Sequence, residues 1–247
     1  MKNQPIEFLT WDSAHFGRRI ARATCRQVDA NACFEMLVAC QEHDIECMYF
    51  LADAADLDTV AVLEANGFKF VDIRLTLAAR YKTPPENVQL DSMRFRLGND
   101  RDLATLLPIA GASFDQSRFY VDQCFGHDKA TRMFQIWLQN CFANEPGDAV
   151  VVAELNGAAV GFVTCHLHKP PGEGNIGLVG VAESARGSGC AGGMLQVAAR
   201  WFAAQGVTHL NVVTQGRNVA AQRLYQRSGF VTRSVELWFH KWFDWRS

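Results

Sequence analysis

The chain has 247 residues, of which 49% are hydrophobic and 20% charged, and its formal net charge is −2 at pH 7. This length suits one or two domains, and the hydrophobic content can form a core without disulfides or metals. The composition excludes a disordered protein, and the near-neutral charge gives the whole chain no electrostatic reason to bind nucleic acid. Its apolar runs are far shorter than the about 20 residues of a membrane span, and its N-terminus lacks a signal-peptide core. We therefore expect a cytoplasmic protein with no membrane span.

The first part of the chain predicts alternating strands and helices. In order, the pattern indicates a strand at 20–28, a helix at 29–44, a strand at 45–51, a helix at 56–65 and a strand at 68–80. Two consecutive prolines, Pro84 and Pro85, then end regular structure in a polar linker. We expect one domain at 1–83 and a second at 88–247.

The second part continues the alternation with more strands. The pattern predicts a strand at 88–97, helices at 100–113 and 129–144, strands at 149–155 and 158–168, a strand at 175–182, a helix at 191–205, a strand at 209–214, a helix at 219–227 and a strand at 230–243. Asn156-Gly157 is a typical hairpin turn between the second and third of these strands. The fold class that follows is α/β with a mixed sheet.

No metal site is predicted. The eight cysteines include no Cys-x-x-Cys pair and are interpreted as ordinary thiols. His166 and His168 share one face of a predicted strand, but no third ligand is evident near them.

The two parts resemble each other. Aligning Gly67 with Gly229 sets Leu63 against Tyr225 and Asp56 against Asn218. A glycine-rich turn of the second part then falls opposite 24–30, which contains no glycine. The first part is interpreted as a partial copy that has lost its ligand loop, and chance similarity between two α/β halves is the alternative.

That glycine-rich turn is the most informative segment. An apolar strand runs through 179–182 into a turn with Gly187 and Gly189, and a helix is predicted to follow. Consecutive backbone N–H groups at such a helix start can hold a pyrophosphate, and side chains would block the approach. The alternatives are a dinucleotide-binding fold or a plain tight turn. The next strand lacks the terminal acidic residue of a dinucleotide site, and no Gly-Lys-Ser/Thr follows the turn.

Two motifs resemble those of the GCN5-related N-acetyltransferases. Arg186-Gly187-Ser188-Gly189-Cys190-Ala191 is similar to that superfamily's Arg/Gln-x-x-Gly-x-Gly/Ala loop. The segment from Asn218 to Tyr225, followed by Ser228-Gly229-Phe230, is similar to its Asn-x-x-Ala-x-x-Leu-Tyr…Gly-Phe segment. The resemblance implies a degenerate acetyltransferase-like domain at 1–83 and a complete catalytic domain at 88–247.

The resemblance also implies acetyl-CoA as co-substrate, without a metal. The residues that it assigns to cofactor binding are Leu178, Val179, Gly180, Val181, Arg186, Gly187, Ser188, Gly189, Cys190, Ala191, Gly192 and Asn218. Tyr225 becomes the candidate general acid for the departing thiolate, and a core tyrosine is the alternative. Asn218 has the alternative role of helix cap.

A narrower resemblance concerns the acceptor. Residues 9–17 and 113–119 resemble segments of the bacterial TDP-fucosamine acetyltransferases, which acetylate the 4-amino group of a TDP-linked 4-amino-4,6-dideoxygalactose for surface polysaccharides. It implies a small-molecule amine acceptor, a nucleotide-sugar, contacted by Arg118, Phe119 and Tyr120. The alternative is a helix end that packs on the core. His166, His168, Glu173 and Glu183 fall near the expected cleft, but surface positions explain each of them, so no general base is assigned.

Other functions remain open at this point. An acetyltransferase for a protein N-terminus, a lysine or another small amine would carry the same cofactor motifs. A module that senses acetyl-CoA without catalysis is a further alternative. Alternation puts Trp238 and Trp242 on one face of the last strand, where core packing or a homodimer contact is expected.

Overall fold

The computed structural model describes residues 4–81, 90, 93–143, 148–167 and 172–245. Its first seven elements are β1 (Ile6–Phe8), α1 (Thr10–Phe16), β2 (Ile20–Ala23), α2 (Ala30–Glu42), β3 (Cys47–Asp53), α3 (Leu57–Ala65) and β4 (Lys69–Arg80). The remaining elements are β5 (Met93–Leu97), α4 (Asp100–Ala112), α5 (Arg118–Val121), α6 (His127–Phe142), β6 (Asp148–Leu155), β7 (Ala158–Leu167), β8 (Glu173–Val181), α7 (Cys190–Ala204), β9 (His209–Gln215), α8 (Val219–Arg227) and β10 (Val231–Trp242).

The predicted order of elements is confirmed, with five short elements missed. These are β1, α1, α5 and two single-turn 3-10 helices, Gln123–Phe125 and Glu183–Ala185, which are too short to show a clear period in the sequence. The strand predicted at 20–28 ends at Ala23, and the next residue, Thr24, still donates to the carbonyls of Gln4 and Pro5 beside β1. The predicted linker at 82–87, the predicted strand residues 88, 89, 91, 92 and 168, and the predicted helix residue 144 lie outside the described residues.

All ten described strands form one mixed sheet. Their order is β1-β2-β3-β10-β4-β9-β8-β7-β6-β5, with parallel pairing for β2/β3 and β8/β9 and antiparallel pairing elsewhere. Helices α2, α3, α7 and α8 pack on one face, and α1, α4, α5 and α6 on the other. Among the described residues, no helix combines the length and apolar character that crossing a membrane requires.

The internal similarity extends to the element boundaries. Cys47 and His209, which begin β3 and β9, are 162 residues apart, as are the first residues of α3 and α8 and of β4 and β10. The helix caps correspond too: the Asp56 side chain accepts from the Thr59 amide, and the Asn218 side chain from the Ala221 amide. The same shift relates both pairs, which supports a tandem repeat over chance similarity.

Under the same 162-residue shift, the last strands of the two parts are exchanged in the sheet. β10 lies between β3 and β4, and β4 in turn pairs with β9. Leu237 pairs with Ala52, and Leu75 pairs with Thr214, which are equivalent contacts under the 162-residue shift. The predicted boundary between 83 and 88 therefore divides the sequence but not the sheet.

The aromatic residues of β10 are interior rather than at a sheet edge. Phe239 is 1% exposed in the core that α2 and α3 cover. Trp238 and Trp242 do share the opposite face, where the Trp242 indole donates to Asp122 Oδ2 at 2.8 Å. Core packing accounts for these side chains, and a homodimer stays a prediction.

Candidate functional site

The sheet opens between β8 and β9. The two strands pair only from Glu173 with His209 to Ile176 with Val212, although β8 continues to Val181 and β9 to Gln215. The amide of Ala182 donates to the carbonyl of Val160 on β7, the strand that lies on the side of β8 away from the opening. Because backbone groups alternate in direction along a strand, those of Val179 and Val181 point into the opening.

The other two β8 residues assigned to the cofactor face away from the opening. The Leu178 amide donates to Thr164 Oγ1 at 2.8 Å, where a bulge shifts the register between β7 and β8. Gly180 is two residues before Ala182, so its backbone groups point toward β7 as those of Ala182 do, and it pairs there with Phe162. A Cβ on Gly180 would meet the Phe162 ring at 2.5 Å. Gly180 therefore provides room for packing, while Val179 and Val181 provide the backbone groups that a ligand can pair with.

The start of α7 fits a pyrophosphate. Gly189 caps the helix, and among the described residues no side chain accepts hydrogen bonds from the first amides, those of Cys190, Ala191 and Gly192. Gly187 and Gly189 adopt φ of 77° and 85°, which favours glycine. A Cβ at Gly187 or Gly192 would meet nothing within 4 Å, so the approach to these amides is open. The residues present therefore fit the expected acetyl-CoA.

Other residues of the turn have local partners. The exposed Arg186 side chain donates from Nε to the Val181 carbonyl at 3.4 Å, a long contact that leaves its outer nitrogens available. The Ser188 hydroxyl donates to the carbonyl of Ala185 at 2.7 Å. The Cys190 side chain is buried in the core, so only its backbone can face a ligand.

Tyr225 lies on α8, on the face of the sheet that α7 and α8 cover. Its ring packs against Phe230 with 5.9 Å between centroids, and the side chain is 4% exposed. Among the described residues, its hydroxyl has no hydrogen-bond partner. Burial raises the pKa of Tyr225 well above its usual value, so the phenol carries its proton at neutral pH. The Asn218 side chain accepts from the Ala221 amide and so caps α8, which is the alternative role predicted for it.

A cavity of about 110 Å³ lies on the opposite face of the sheet and reaches the end of β9. We call it the inner cavity. The residues that line it are Asp72, Ile73, Arg74, Ser117, Arg118, Phe119, Phe134, Trp137, Val213, Thr214, Gln215 and Trp238. The buried Ser117 hydroxyl has no hydrogen-bond partner among the described residues. A cavity with an arginine, a carboxylate and an unsatisfied hydroxyl is suited to a polar ligand.

Arg118 is held in this cavity by a buried network. Its Nη1 donates to Nε2 of His240 at 2.7 Å, and its guanidinium carbon lies 4.4 Å from the Trp238 ring centroid and 4.2 Å from that of Tyr49. Because an arginine only donates, His240 carries its proton on Nδ1, which donates to Asp122 Oδ2 at 2.6 Å. Burial lowers the pKa of His240 to about 4, against the opposing hydrogen bond to Asp122, so the imidazole is neutral.

Asp72 is the site residue that sequence reasoning missed. It is 3% exposed, its Oδ1 accepts from the Ile73 amide at 2.9 Å, and Arg217 Nε lies 3.6 Å from the same oxygen. Burial raises the pKa of Asp72 to about 6, against the opposing charges of Arg217 and Arg118. A carboxylate inside the apolar strand 68–80 was the signal that could have identified it, because such groups are rarely buried without a role.

The other two predicted acceptor residues differ from Arg118. Phe119 lines the inner cavity, but it is 6% exposed and stacks on Phe16 with 5.5 Å between centroids. The Tyr120 hydroxyl is occupied by Thr131 Oγ1 at 2.8 Å and the Gly111 carbonyl at 3.2 Å. Tyr120 joins α4 to α6 and is not among the lining residues. Packing on the core, the alternative reading, accounts for its contacts.

The groups near the expected cleft offer no clear base. Glu183 is exposed, and Glu173 is exposed at the paired end of β8, where it accepts from Asn211. His168 lies outside the described residues. His166 Nδ1 is 2.9 Å from Asp148 Oδ1, and its Nε2 is 3.1 Å from Thr164 Oγ1.

The fold does bring two further potential metal ligands to His166. Atoms of Cys141, Asp148 and His166 lie within 4.8 Å of one another. No local pattern predicts this cluster, because Cys141 is on α6 and Asp148 begins the next strand. The cysteine thiol also donates to the Trp137 carbonyl, so hydrogen bonding accounts for the arrangement.

Known proteins resemble this chain in sequence and in fold. Residues 115–230 match the acetyltransferase (GNAT) family. The dTDP-fucosamine acetyltransferase of Escherichia coli O6:H1 is 27% identical over 96% of this chain and 97% of its own length. A spore coat polysaccharide biosynthesis protein of Bacillus subtilis is 28% identical over 82% of this chain and 68% of its own. A GCN5-related N-acetyltransferase from Sphaerobacter thermophilus has the same fold, with a TM-score of 0.69 at 17% identity over 96% of this chain and 76% of that one.

The sequence match and the site geometry concern the same segment. The opening between β8 and β9, the start of α7 and all of α8 lie within 115–230. The predicted mixed α/β fold and acetyltransferase activity are confirmed, and acetyl-CoA is the acetyl donor of such enzymes. Over 115–230 the chain matches the GNAT family of acetyltransferases in sequence, and its fold is shared with a GCN5-related N-acetyltransferase.

Proposed function

We propose that this acetyltransferase acts on the amino group of a nucleotide-linked amino sugar, namely the 4-amino group of TDP-4-amino-4,6-dideoxygalactose. The observation that carries the proposal is the inner cavity, in which Arg118 and Asp72 face a ligand on the side of the sheet opposite Tyr225. The similarity to a dTDP-fucosamine acetyltransferase over nearly the full length of both chains supports the choice of acceptor. The similarity to a spore coat polysaccharide biosynthesis protein supports a role in surface-polysaccharide synthesis.

The donor side of the site is formed by β8 and α7. Acetyl-CoA supplies a thioester carbonyl that an unprotonated amine can attack. The backbone groups of Val179 and Val181 pair with the pantetheine arm, and an amide there polarises the carbonyl. The amides at the start of α7 hold the pyrophosphate, with Arg186 alongside. Donors of this kind contribute about 3–4 kcal/mol when they face a developing oxyanion.

Tyr225 gives a proton to the departing thiolate. The raised pKa of Tyr225 keeps the phenol protonated, so its hydroxyl can donate a hydrogen bond to the thiolate as the C–S bond breaks. The ring of Tyr225 is anchored in the hydrophobic core on this face of the sheet, which fixes the position of the hydroxyl.

Asp72 receives the proton of the acceptor ammonium on the other face. A carboxylate whose pKa is about 6 is ionised at neutral pH and is a stronger base than an ordinary aspartate. Arg118 orients the acceptor through its remaining donors, and the network to His240 and Asp122 holds the guanidinium in place.

A comparison of acceptor classes tests the proposal. The full chain is incubated with acetyl-CoA and, in parallel, TDP-4-amino-4,6-dideoxygalactose, a peptide with a free N-terminus, a lysine peptide and a polyamine, and released CoA thiol is measured. We expect kcat/KM for the nucleotide-sugar to exceed the others by at least about 100-fold, since buried polar groups discriminate strongly. Equal or greater activity with a peptide or polyamine contradicts the proposal.

A further inference from the structure

A second cavity lies in the first copy of the repeat. Its volume is about 310 Å³, and we call it the outer cavity. The residues that line it are Glu7, Arg22, Ala23, Thr24, Cys25, Arg26, Tyr49, Leu51 and Trp238. Trp238 also lines the inner cavity, so one indole forms a wall of both.

The outer cavity occupies the position that the cofactor opening has in the second copy. β2 and β3 pair in parallel from Ile20 with Cys47 to Arg22 with Tyr49, and the cavity begins where this pairing ends. β3 and β9 are equivalent under the 162-residue shift. The first copy has thus kept the splayed strands, although its loop contains no glycine.

The first copy is nevertheless unsuited to hold phosphates as the second does. The start of α2 is already occupied, because the Asp29 carboxylate accepts from the Ala32 amide at 2.8 Å. A carboxylate there repels a pyrophosphate, whereas the start of α7 has no side-chain cap. The counterpart of Tyr225 is Leu63, so the first copy also lacks the candidate acid. Any phosphate in the outer cavity must be bound by side chains.

Arginine side chains are available for this. Arg22 forms an exposed ion pair with Glu7 at 2.8 Å, and both line the cavity. Arg26 and Arg74 share the buried carboxylate of Glu236. Arg74 lines the inner cavity, so the guanidinium groups of the outer cavity are those of Arg22 and Arg26. The exposed pair of Arg22 with Glu7 is weak enough to open for a phosphate.

An unsatisfied hydroxyl is the second, independent sign of a ligand. Tyr49 lines the outer cavity and is 1% exposed. Its hydroxyl makes no hydrogen bond of normal geometry among the described residues, although the Arg118 guanidinium lies beside the ring. A buried hydroxyl without a partner is destabilising, and a hydrogen bond from a ligand atom removes that cost. With Trp238 it adds two aromatic rings beside the arginines, which suits a base next to phosphates.

We infer that the outer cavity binds the nucleoside diphosphate of the acceptor, with Arg22 and Arg26 on the phosphates and Tyr49 and Trp238 beside the nucleoside. The sugar then extends past Trp238 into the inner cavity, toward the end of β9. The degenerate copy thus serves as the acceptor-recognition unit. This inference rests on the proposed nucleotide-sugar acceptor.

Two exposed cysteines provide the test. Cys25 lines the outer cavity, and Cys124 lines neither cavity. The full chain is alkylated with iodoacetamide at alkaline pH, since burial raises the pKa of both thiols. Peptide mass spectrometry then follows each cysteine with TDP, CoA or inorganic pyrophosphate present. TDP at about ten times its Kd is expected to slow alkylation of Cys25 about tenfold and to leave Cys124 unchanged.

A pair of variants supplies a second readout. Arg22→Gln is expected to raise the Kd of TDP about tenfold in calorimetry, because a charge-assisted hydrogen bond is lost. Arg18→Gln is the matched control, since Arg18 forms an equally exposed ion pair with Glu46 at 2.9 Å away from the cavity. Its TDP affinity is expected to stay within about twofold.

The outcomes separate this inference from the proposed function. Acetylation of the TDP-sugar with no protection of Cys25 by TDP overturns the inference alone. Protection by CoA equal to that by TDP also overturns it, because the cavity would then be a second cofactor site. Protection by TDP without acetylation of any nucleotide-sugar contradicts the proposed function and leaves a nucleoside diphosphate site in place.

Discussion

Arg118 donates a hydrogen bond from Nη1 to Nε2 of His240 across 2.7 Å, and this contact joins the short helix α5 to the exchanged strand β10. It fixes the neutral Nδ1–H tautomer of the imidazole. The guanidinium is thereby held against the rings of Tyr49 and Trp238. Arg118 is thus positioned by β10, which lies between β3 and β4 of the first part of the chain.

Replacement of Arg118 by alanine is expected to raise the KM of the nucleotide-sugar at least about tenfold, since a charge-assisted contact is lost. The KM of acetyl-CoA should stay unchanged, because Arg118 lies on the acceptor face. Steady-state kinetics with each substrate varied in turn measures both values. Arg118→Lys keeps the charge without the planar fork and should show the same split. An unchanged KM for the nucleotide-sugar would remove Arg118 from the acceptor site.

The buried His240 predicts a loss of stability in acid. Its folded pKa of about 4 lies below its ordinary value, so the unfolded chain takes up the proton first. Its contribution is complete above about pH 6.5 and disappears as the pH falls toward 4, up to about 3 kcal/mol. Urea unfolding at pH 7 and pH 4.5 measures the difference, which His240→Gln should reduce. Identical acid slopes for the variant and the natural chain would contradict this account of His240.

Tyr225→Phe is expected to lower kcat by about 10²–10⁴, the usual contribution of a general acid. The affinity for acetyl-CoA and the packing against Phe230 should persist. Tyr81→Phe is the matched control, because Tyr81 also contacts Phe230 and its hydroxyl donates to the Ser228 carbonyl at 2.8 Å. That variant should lose stability but keep turnover. Equal turnover in Tyr225→Phe and the natural chain would exclude the acid role.

Asp72→Asn is expected to separate activity from stability. The folded pKa of about 6 is above the ordinary value, so the favourable contribution of Asp72 is present below about pH 4 and lost as the pH rises through 6. At pH 8 the variant should therefore be more stable, by up to about 3 kcal/mol, and should match the natural chain at pH 4.

The pH profile of the same variant tests the role in proton transfer. In the natural chain, kcat/KM should fall below about pH 6 as the carboxylate takes up a proton. Asp72→Asn should lose most of this activity at pH 7 and lack that limb, while the ionisation of the acceptor amine at higher pH affects both proteins. A variant with full activity and the same acid limb would sink the assignment.

Gly192→Ala is expected to weaken acetyl-CoA binding without harming the fold. Gly192 has an ordinary helical φ, and a Cβ there meets nothing within 4 Å, so alanine should stabilise α7 by about 1 kcal/mol. The added methyl group would stand in the approach to the amides that hold the pyrophosphate. A higher Tm together with a smaller Tm increase on adding acetyl-CoA is the expected pair of results. An undiminished increase would place the pyrophosphate elsewhere.

Local patterns in the sequence predicted much of the fold. The prediction for α8 has the observed bounds, Val219–Arg227, because a capping Asn218 and a closing Gly229 define both ends. The alignment of Gly67 with Gly229 likewise found the register of the repeat. The exchange of β4 and β10 between the two parts could not be predicted from local patterns. Both strands look like ordinary last strands, and only long-range pairing decides which copy each one joins.

The candidate site was also predicted only where its residues belong to continuous motifs. The glycine turn at 187–189 and Tyr225 belong to continuous motifs, so their residue types show in the chain. Asp72 and Tyr49 come from the first copy, far from those motifs, and reach the acceptor side only because β10 lies between their strands. Their roles depend on burial and on missing hydrogen-bond partners, which no local pattern reveals.

The most direct test is the product formed by the full chain from acetyl-CoA and TDP-4-amino-4,6-dideoxygalactose. Mass spectrometry of the nucleotide-sugar is combined with measurement of free CoA thiol in the same reaction. The account predicts a sugar heavier by one acetyl group on its 4-amino nitrogen and one thiol released per acetylated sugar. An unmodified sugar, with acetyl-CoA binding intact, would contradict the proposed acceptor.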